Sequence, residues 1–257
     1  MCSTVFQICP LCGELGEIQN SHLLPAWCYR RITEDCDDLQ PVLVTKDSST
    51  LSNEQVRQYL LCAACEERFS KNEDKVARLT GRNGNKQKIF SRLKHIVTKT
   101  GQLYELEPGT ADILAYFSTS VIWRAYAMRR GCDLGPYGVK FRDYLVGQGK
   151  FPEDTSLALM VIEPNELGID PKGWLTQPTT TRVDHFRIHG FIACGLVFRL
   201  FVGKRIPAIL RYGCLAKTVG PRYIHVRPWN ECQDVLGAMK LLEQTTPRGR
   251  LARLPSA

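Results

Sequence analysis

The chain lacks any apolar run suited to crossing a bilayer: its two most apolar stretches, "ILAYFSTSVIWRAYAM" and "FIACGLVFRLFVG", are interrupted by Arg124 and Arg199. Its first segment does not show the succession of basic, apolar and small residues that marks an export signal, so neither a membrane partner nor a secreted, disulfide-built scaffold is expected. Internal repeats and low-complexity blocks are absent too, which sets aside solenoids and biased tails. What is there is ordinary for a globular protein: 257 residues, 44% hydrophobic and 23% charged, enough for one large domain or two small ones.

Eleven cysteines are many for a chain without an export signal. In a reducing compartment such cysteines serve as metal ligands or as small buried apolar residues, so a cytoplasmic, metal-binding protein is the expectation. Seven of the eleven precede residue 80 (Cys2, Cys9, Cys12, Cys28, Cys36, Cys62 and Cys65). "CPLC" supplies Cys9 and Cys12, and "CAAC" supplies Cys62 and Cys65; each two-residue spacing fills two corners of a tetrahedral zinc site from one tight turn. Four thiolates leave no position for water, so this zinc would be structural and would fold the module. A ligand set that uses Cys28 or Cys36, or four reduced and packed cysteines, is the competing reading. The 49 residues between the pairs exceed what a minimal zinc ribbon needs, and an insertion of that length is usually functional. Cys132, Cys194, Cys214 and Cys232 are solitary and read as core residues.

A net charge of +8 favours polyanionic partners, and its distribution sharpens the point. Residues 75–99, "KVARLTGRNGNKQKIFSRLKHIVTK", carry eight Lys or Arg and no acid. "GRNGN" divides the segment into two helix-prone pieces, and Lys86, Lys88, Arg92 and Lys94 are the candidates for contact with nucleic-acid phosphates. A solvated face is the alternative.

The pattern as a whole is α+β. Residues 1–80 form the small metal-built module, 81–109 a basic linker or helical segment, and 110–257 an α+β domain whose role the sequence does not state. From Thr110 to Arg130, Ile113, Leu114, Phe117, Val121, Ile122, Ala125 and Met128 recur at core-helix spacing. A short helix is expected near "GVKFRDYLVG". The β-prone runs "SLALMVIE", "DHFRIHG", "CGLVFRLFVGKR", "PAILRYG" and "RYIHVRPW" predict a mainly antiparallel sheet. "NECQDVLGAMKLLEQ" predicts a helix with Asn230 as its N-cap, and the tail "TPRGRLARLPSA" is expected to be loosely ordered. Asp184, His185 and His189 read as sheet-surface residues rather than a second metal site. Trp123, Trp174 and Trp229 read as core.

One stretch of the 49-residue insertion carries chemistry. In "EIQNSHLLP", strand alternation puts Ile18, Asn20 and His22 on one face, before Pro25 opens a helix in "PAWCYRRI". After Cys65, "CEERFSKNEDKVARL" is helix-like, with Glu66, Ser70 and Glu73 sharing a face. If a zinc ion ties both segments together, that face lies against the strand bearing His22. A histidine facing two carboxylates is a candidate hydrolytic site, with Asn20 a weaker participant; a backbone-bonded structural histidine and a solvated acidic helix face are the bland readings.

"CPLCG", "SHLLP" and "LLCAACEE", spread over residues 9–73, resemble the HNH-type (ββα-metal) nucleases, specifically the zinc-stabilised subgroup with one cysteine pair before the histidine strand and another at the start of the helix. The resemblance implies an endonuclease that hydrolyses DNA, or RNA, with His22 as general base and one catalytic Mg²⁺ or Mn²⁺ ion. A homodimer is compatible with it. The family's acidic residue before the histidine is Ser21 in this chain, the His or Asn after the second cysteine pair is Glu66, and the usual Asn before that pair has no counterpart in "NEQVRQYLLC". Glu66 would then supply the missing carboxylate, and Glu73 would be a second ligand or orient His22. A non-catalytic, zinc-containing nucleic-acid-binding protein is the alternative these departures imply.

Overall fold

The computed structural model describes residues 5–34, 41–83, 86–98, 101–163 and 173–253. The chain opens with an antiparallel hairpin, β1 (Val5–Ile8) and β2 (Leu15–His22). There follow α1 (Ala26–Thr33), β3 (Val42–Val44), β4 (Ser48–Leu51), β5 (Arg57–Cys62) and α2 (Ala63–Thr80). β5 returns antiparallel to β2, giving the sheet order β1-β2-β5, and α2 starts at the very next residue. The antiparallel pair β6 (Arg82–Asn83) and β7 (Lys86–Gln87) and a 3-10 turn over Lys88–Arg92 lead on to β8 (Leu93–Thr98) and β9 (Gly101–Leu106).

Next come α3 (Pro108–Ala127), α4 (Tyr137–Val146), β10 (Thr155–Glu163), β11 (Thr179–Val183), β12 (Phe186–Ala193) and β13 (Leu196–Gly203). The described chain closes with α5 (Ala208–Tyr212), β14 (Arg222–Pro228), α6 (Gln233–Gln244) and β15 (Thr246–Pro247). Seven strands form one sheet in the order β11-β12-β13-β10-β14-β9-β8, antiparallel throughout except for the β10–β14 pair. The expected α+β class with mainly antiparallel sheets is what forms, with six α-helices among the described residues. No helix among them is long and apolar enough to cross a membrane.

α3 holds the two parts together. Every residue from Phe117 to Ala125 is buried, more than two full turns, so the helix is covered on all sides rather than along one stripe. Phe117 shows how: its ring packs on Trp27 of α1 on one side and on Phe191 and Phe198 of β12 and β13 on the other. One apolar core therefore runs from Cys9 and Phe69 through α3 to the large sheet. The buried hydroxyls of Ser118, Thr119 and Ser120 donate back to carbonyls of their own helix at 2.7–3.1 Å, which satisfies them without outside partners. α4 comes close enough that its Gly138 carbonyl accepts from Trp123 Nε1 at 3.1 Å; a Cβ at Gly138 would lie 2.3 Å from the Tyr126 ring.

Several local expectations differ from the fold. The second piece of the basic segment is not an α-helix: a 3-10 turn over Lys88–Arg92 leads into β8, and β8 and β9 are the edge of the seven-stranded sheet, so the segment read as a linker is built into it. "PAILRYG" forms the short helix α5 instead of a strand, because Pro207 precedes it at a helix-entry position. α6 is capped by Cys232, since Asn230 lies inside a preceding 3-10 turn. Thr246 and Pro247 of the tail pair in parallel with β4; residues 254–257 lie outside the described residues.

His189 is not on the sheet surface; it is fully buried. Thr180 Oγ1 donates to the Gly131 carbonyl at 2.8 Å, so it accepts from His189 Nδ1–H at 2.8 Å and leaves His189 Nε2 without a partner among the described residues. Burial, helped by the Arg187 charge, lowers its pKa from 6.5 to about 4. The folded state thus binds this proton more weakly than the unfolded chain. The associated stability is fully present above pH 6.5 and is lost as pH falls towards 4. A shift of that size corresponds to roughly 3 kcal/mol. In urea unfolding measured from pH 7 to pH 4, His189→Gln is expected to flatten the acid loss of stability by about that amount; an unchanged slope would contradict the assignment.

Candidate active site and metal centre

Cys9 and Cys12 sit in the turn between β1 and β2. The turn closes through Gly13 N–H to the Cys9 carbonyl and Cys9 N–H to the Glu14 carbonyl, both at 2.8 Å. Gly13, at φ +82°, takes the left-handed conformation that the reversal needs. On the opposite side Cys62 ends β5 and caps α2, whose first turn holds Cys65. Pairing of Ile18 with Cys62 brings the two halves together. All four sulfurs lie within 4.8 Å of one another. Cys12 and Cys62 are 3.8 Å apart, the edge of about 3.8 Å that a tetrahedron with 2.3 Å metal–sulfur bonds requires. Cys62 N–H points at Cys9 Sγ from 3.5 Å. A bond from the Cys65 thiol and others from nearby backbone amides lower the pKa of Cys9 against its burial, while the same pairing raises that of Cys65 and burial raises that of Cys12. The set is close enough to bind a metal such as zinc, and all four positions are sulfur. Cys28 instead lies buried on α1, where its carbonyl faces Cys194 Sγ at 4.0 Å; Cys36 lies outside the described residues.

His22 ends β2, but a bulge alters which neighbours share its surroundings. Gln19 pairs with Leu61 and Asn20 with Tyr59, so Leu60 of β5 is the extra residue. The phase of burial slips there: Ile18 and Ser21 are buried while Asn20 is exposed. Asn20 therefore does not share an inner face with Ile18, as simple alternation predicts. Ser21 Oγ accepts from the Leu61 amide at 3.2 Å, which satisfies backbone that the bulge displaces.

The half-buried His22 ring meets Gln55 Oε1 through Nε2 at 2.8 Å. Arg57 donates to that same oxygen at 3.1 Å, which identifies it as the amide's acceptor end. Nε2 must then carry the proton, and Nδ1 keeps its lone pair. Burial, and next the Arg57 charge, lower the pKa of His22 below 6.5 against the Gln55 bond, so the ring is neutral at physiological pH.

Glu66 lies on the inner side of α2 and is partly buried. Burial pushes its carboxyl above the ordinary value, while the adjacent Ser21 hydroxyl and the Arg124 charge oppose the shift. Its Oε1 is buried and has no hydrogen-bond partner among the described residues. Ser70, expected on the same face, is exposed.

Glu73 is committed elsewhere. Its Oε1 forms an ion pair with Nη2 of Arg124, a residue 1% exposed in the middle of α3. Nη1 of the same guanidinium donates to the His22 carbonyl at 2.9 Å, and the group lies 5.2 Å from the centre of the Phe69 ring. His22, Glu66 and Glu73 are thus neighbours, yet their ligand atoms do not gather into a metal-sized group. Among the described residues the four cysteines alone do so. Arg124 already places a positive charge between Glu73 and the end of the histidine strand.

Of the basic candidates, Lys88, Arg92 and Lys94 are exposed, while the side chain of Lys86 lies outside the described residues. Arg92 pairs with Glu107 at 3.2 Å, and Lys94 stands opposite Glu105 across the β8–β9 ladder. The acids missing from the segment itself are therefore supplied by its neighbours. Gln55 and Arg124 escaped the sequence reading. The one available signal was an arginine inside an otherwise apolar helix, which burial makes costly unless it has a partner. Comparison with protein-family models, curated proteins and solved structures gives no match.

Removing Arg124 alone strands the Glu73 carboxylate in partly buried surroundings. Arg124→Met is expected to lower the unfolding free energy by roughly 3–5 kcal/mol, and adding Glu73→Leu to recover much of that loss. Urea unfolding of both variants measures this, and a double variant no more stable than the single one would refute the coupling.

Proposed function

We propose that this chain is an HNH-like endonuclease that hydrolyses DNA phosphodiesters, with His22 as the general base. The observation that carries the reading is the state of His22. It ends β2 at the opposite end of the β2–β5 ladder from the cysteine cluster, beside the later turns of α2; burial lowers its pKa towards the neutral ring, and Gln55 holds the proton on Nε2 so that Nδ1 is left to accept one from water. The β2-β5-α2 arrangement then acts as a ββα unit, and a structural zinc on Cys9, Cys12, Cys62 and Cys65 fixes the strand against the helix. The reducing conditions that such thiolates need favour the cytoplasm.

Glu66, with its unpartnered Oε1, is the carboxylate suited to a hard divalent cation such as Mg²⁺ or Mn²⁺, which when bound supplies charge neutralisation at the phosphate. Of the two roles expected of Glu73, second ligand or orienting group, the ion pair with Arg124 supports the second: through Arg124 it meets the carbonyl of His22, and so acts as a positioning group. Lys88 and Lys94, on the surface beyond α2, offer phosphate contacts. One specific observation favours the second reading, a zinc-containing nucleic-acid-binding protein without catalysis: oxygen ligands do not converge beside His22 among the described residues.

Supercoiled plasmid incubated with the protein and Mg²⁺ or Mn²⁺ separates the two readings. The wild type is expected to nick, and His22→Ala to lose roughly 10²–10⁴-fold in rate. Glu66→Ala should raise the metal concentration required. Because the base must be unprotonated, activity should rise with pH through a midpoint below 6.5. Elemental analysis should find about one zinc per chain. Intact plasmid together with salt-sensitive DNA binding would replace the nuclease with the binding protein.

A further inference from the structure

The face of the seven-stranded sheet turned away from α3 carries a second site. Alternate residues of neighbouring strands line up there: Met160 pairs with Val197 on one side and with His225 on the other, and Ala158 pairs with Arg199. Together with Leu103 and Ile96 they floor a cavity of about 540 Å³, within the range of about 300–1,000 Å³ typical of small-molecule sites.

Its wall is unusual. α5 has the apolar sequence "AILRY", yet none of its residues is buried; Ile209 is 74% exposed and Tyr212 60% exposed. The helix is nevertheless held firmly, because Ser156 Oγ donates to the Leu210 carbonyl at 2.5 Å and Leu215 N–H to the Leu157 carbonyl at 2.7 Å. Tyr212 is also fixed, stacked on Tyr223 at 6.2 Å with Lys217 over both rings. A short apolar helix is thus fastened beside an apolar floor without filling the space between them.

The charges are one-sided. Arg199 and Arg227 line the cavity beside His225, whose pKa burial and then the Arg227 charge lower, and no Asp or Glu does among the described residues. The acids that pair with the two arginines, Asp234 on α6 and Glu231 in the turn before it, are not part of the lining. Apolar surface beneath a cationic rim is complementary to an amphiphilic anion.

We infer that this cavity binds a small amphiphilic anion, an apolar acyl or aromatic body ending in a carboxylate or phosphate, with the body between α5 and the sheet and the head group at Arg227 and His225. A buried ligand there would contact β10, β13 and β14, strands whose opposite face belongs to the core around α3. The assignment is independent of any activity at His22.

Calorimetric titration with sub-millimolar dodecanoate, 2-naphthoate and dodecyl phosphate tests it, with dodecanol as the uncharged control. Saturable one-to-one binding of at least one of the anions, distinguishing acyl from aromatic and carboxylate from phosphate, is expected, with dodecanol much weaker. Arg227→Gln, which alters a solvent-exposed ion pair, should weaken binding about tenfold. Ile209→Glu places a carboxylate at the exposed rim without disturbing packing and should abolish binding while leaving the circular dichroism spectrum unchanged. Absence of saturable binding by all three anions, equal binding of dodecanol, or Ile209→Glu binding like the wild type would each overturn the inference. So would a ligand-free dimer that Ile209→Glu dissociates, since the occupant would then be a second copy of the chain.

Discussion

The guanidinium of Arg124 is buried in the middle of α3, where it meets the Glu73 carboxylate from α2 and the His22 carbonyl from β2. Burying an arginine is unfavourable unless charge and hydrogen bonding compensate it, so this triple contact constrains three elements at once. It fixes how α2 lies against the end of the histidine strand, and it joins both to the helix that organises the large sheet. The apolar counterpart is Phe117, two turns earlier on α3, which wedges between Trp27 and the rings of β12 and β13. The candidate site is consequently assembled from residues on both sides of the division at residue 110.

The cysteine cluster and the Arg124 contact do complementary work. The cysteines join the β1–β2 turn to the start of α2, at one end of the helix. Arg124 acts further along, at Glu73, about two turns beyond Glu66. On the proposed reading, a metal at the cysteines would hold α2 at a second point, separate from Arg124. The His22 carbonyl is held by Arg124, and Gln55 with Arg57 sets the proton position of its ring. If His22 is the base proposed above, a defined tautomer is the kind of preorganisation that proton transfer from water requires.

How legible each feature was in the sequence follows from the range of the interaction behind it. The cysteine pairs were readable because ligand spacing is local, and the one long-range step, joining the two pairs, is dictated by the need for four ligands. The strand at His22 and the helix after Cys65 were readable from periodicity. Which of its two expected roles Glu73 takes was not, because its partner Arg124 lies 51 residues away inside an apolar run. The burial of Ser21 was hidden by a bulge whose extra residue, Leu60, is on the other strand. The basic segment misled in the same way. Counted along the chain it has no acids, but strand pairing sets Glu105 opposite Lys94, and Glu107 reaches Arg92.

The central proposal is that His22 is a neutral general base whose Nδ1 has no hydrogen-bond partner among the described residues. Long-range ¹H–¹⁵N correlation spectroscopy of the five imidazoles at neutral pH, with His22 assigned by its loss in His22→Gln, tests that most directly. The account predicts a neutral ring with its proton on Nε2 and an Nδ1 shift typical of an unprotonated nitrogen. A ring that is charged at neutral pH, or one that carries its proton on Nδ1, would contradict it.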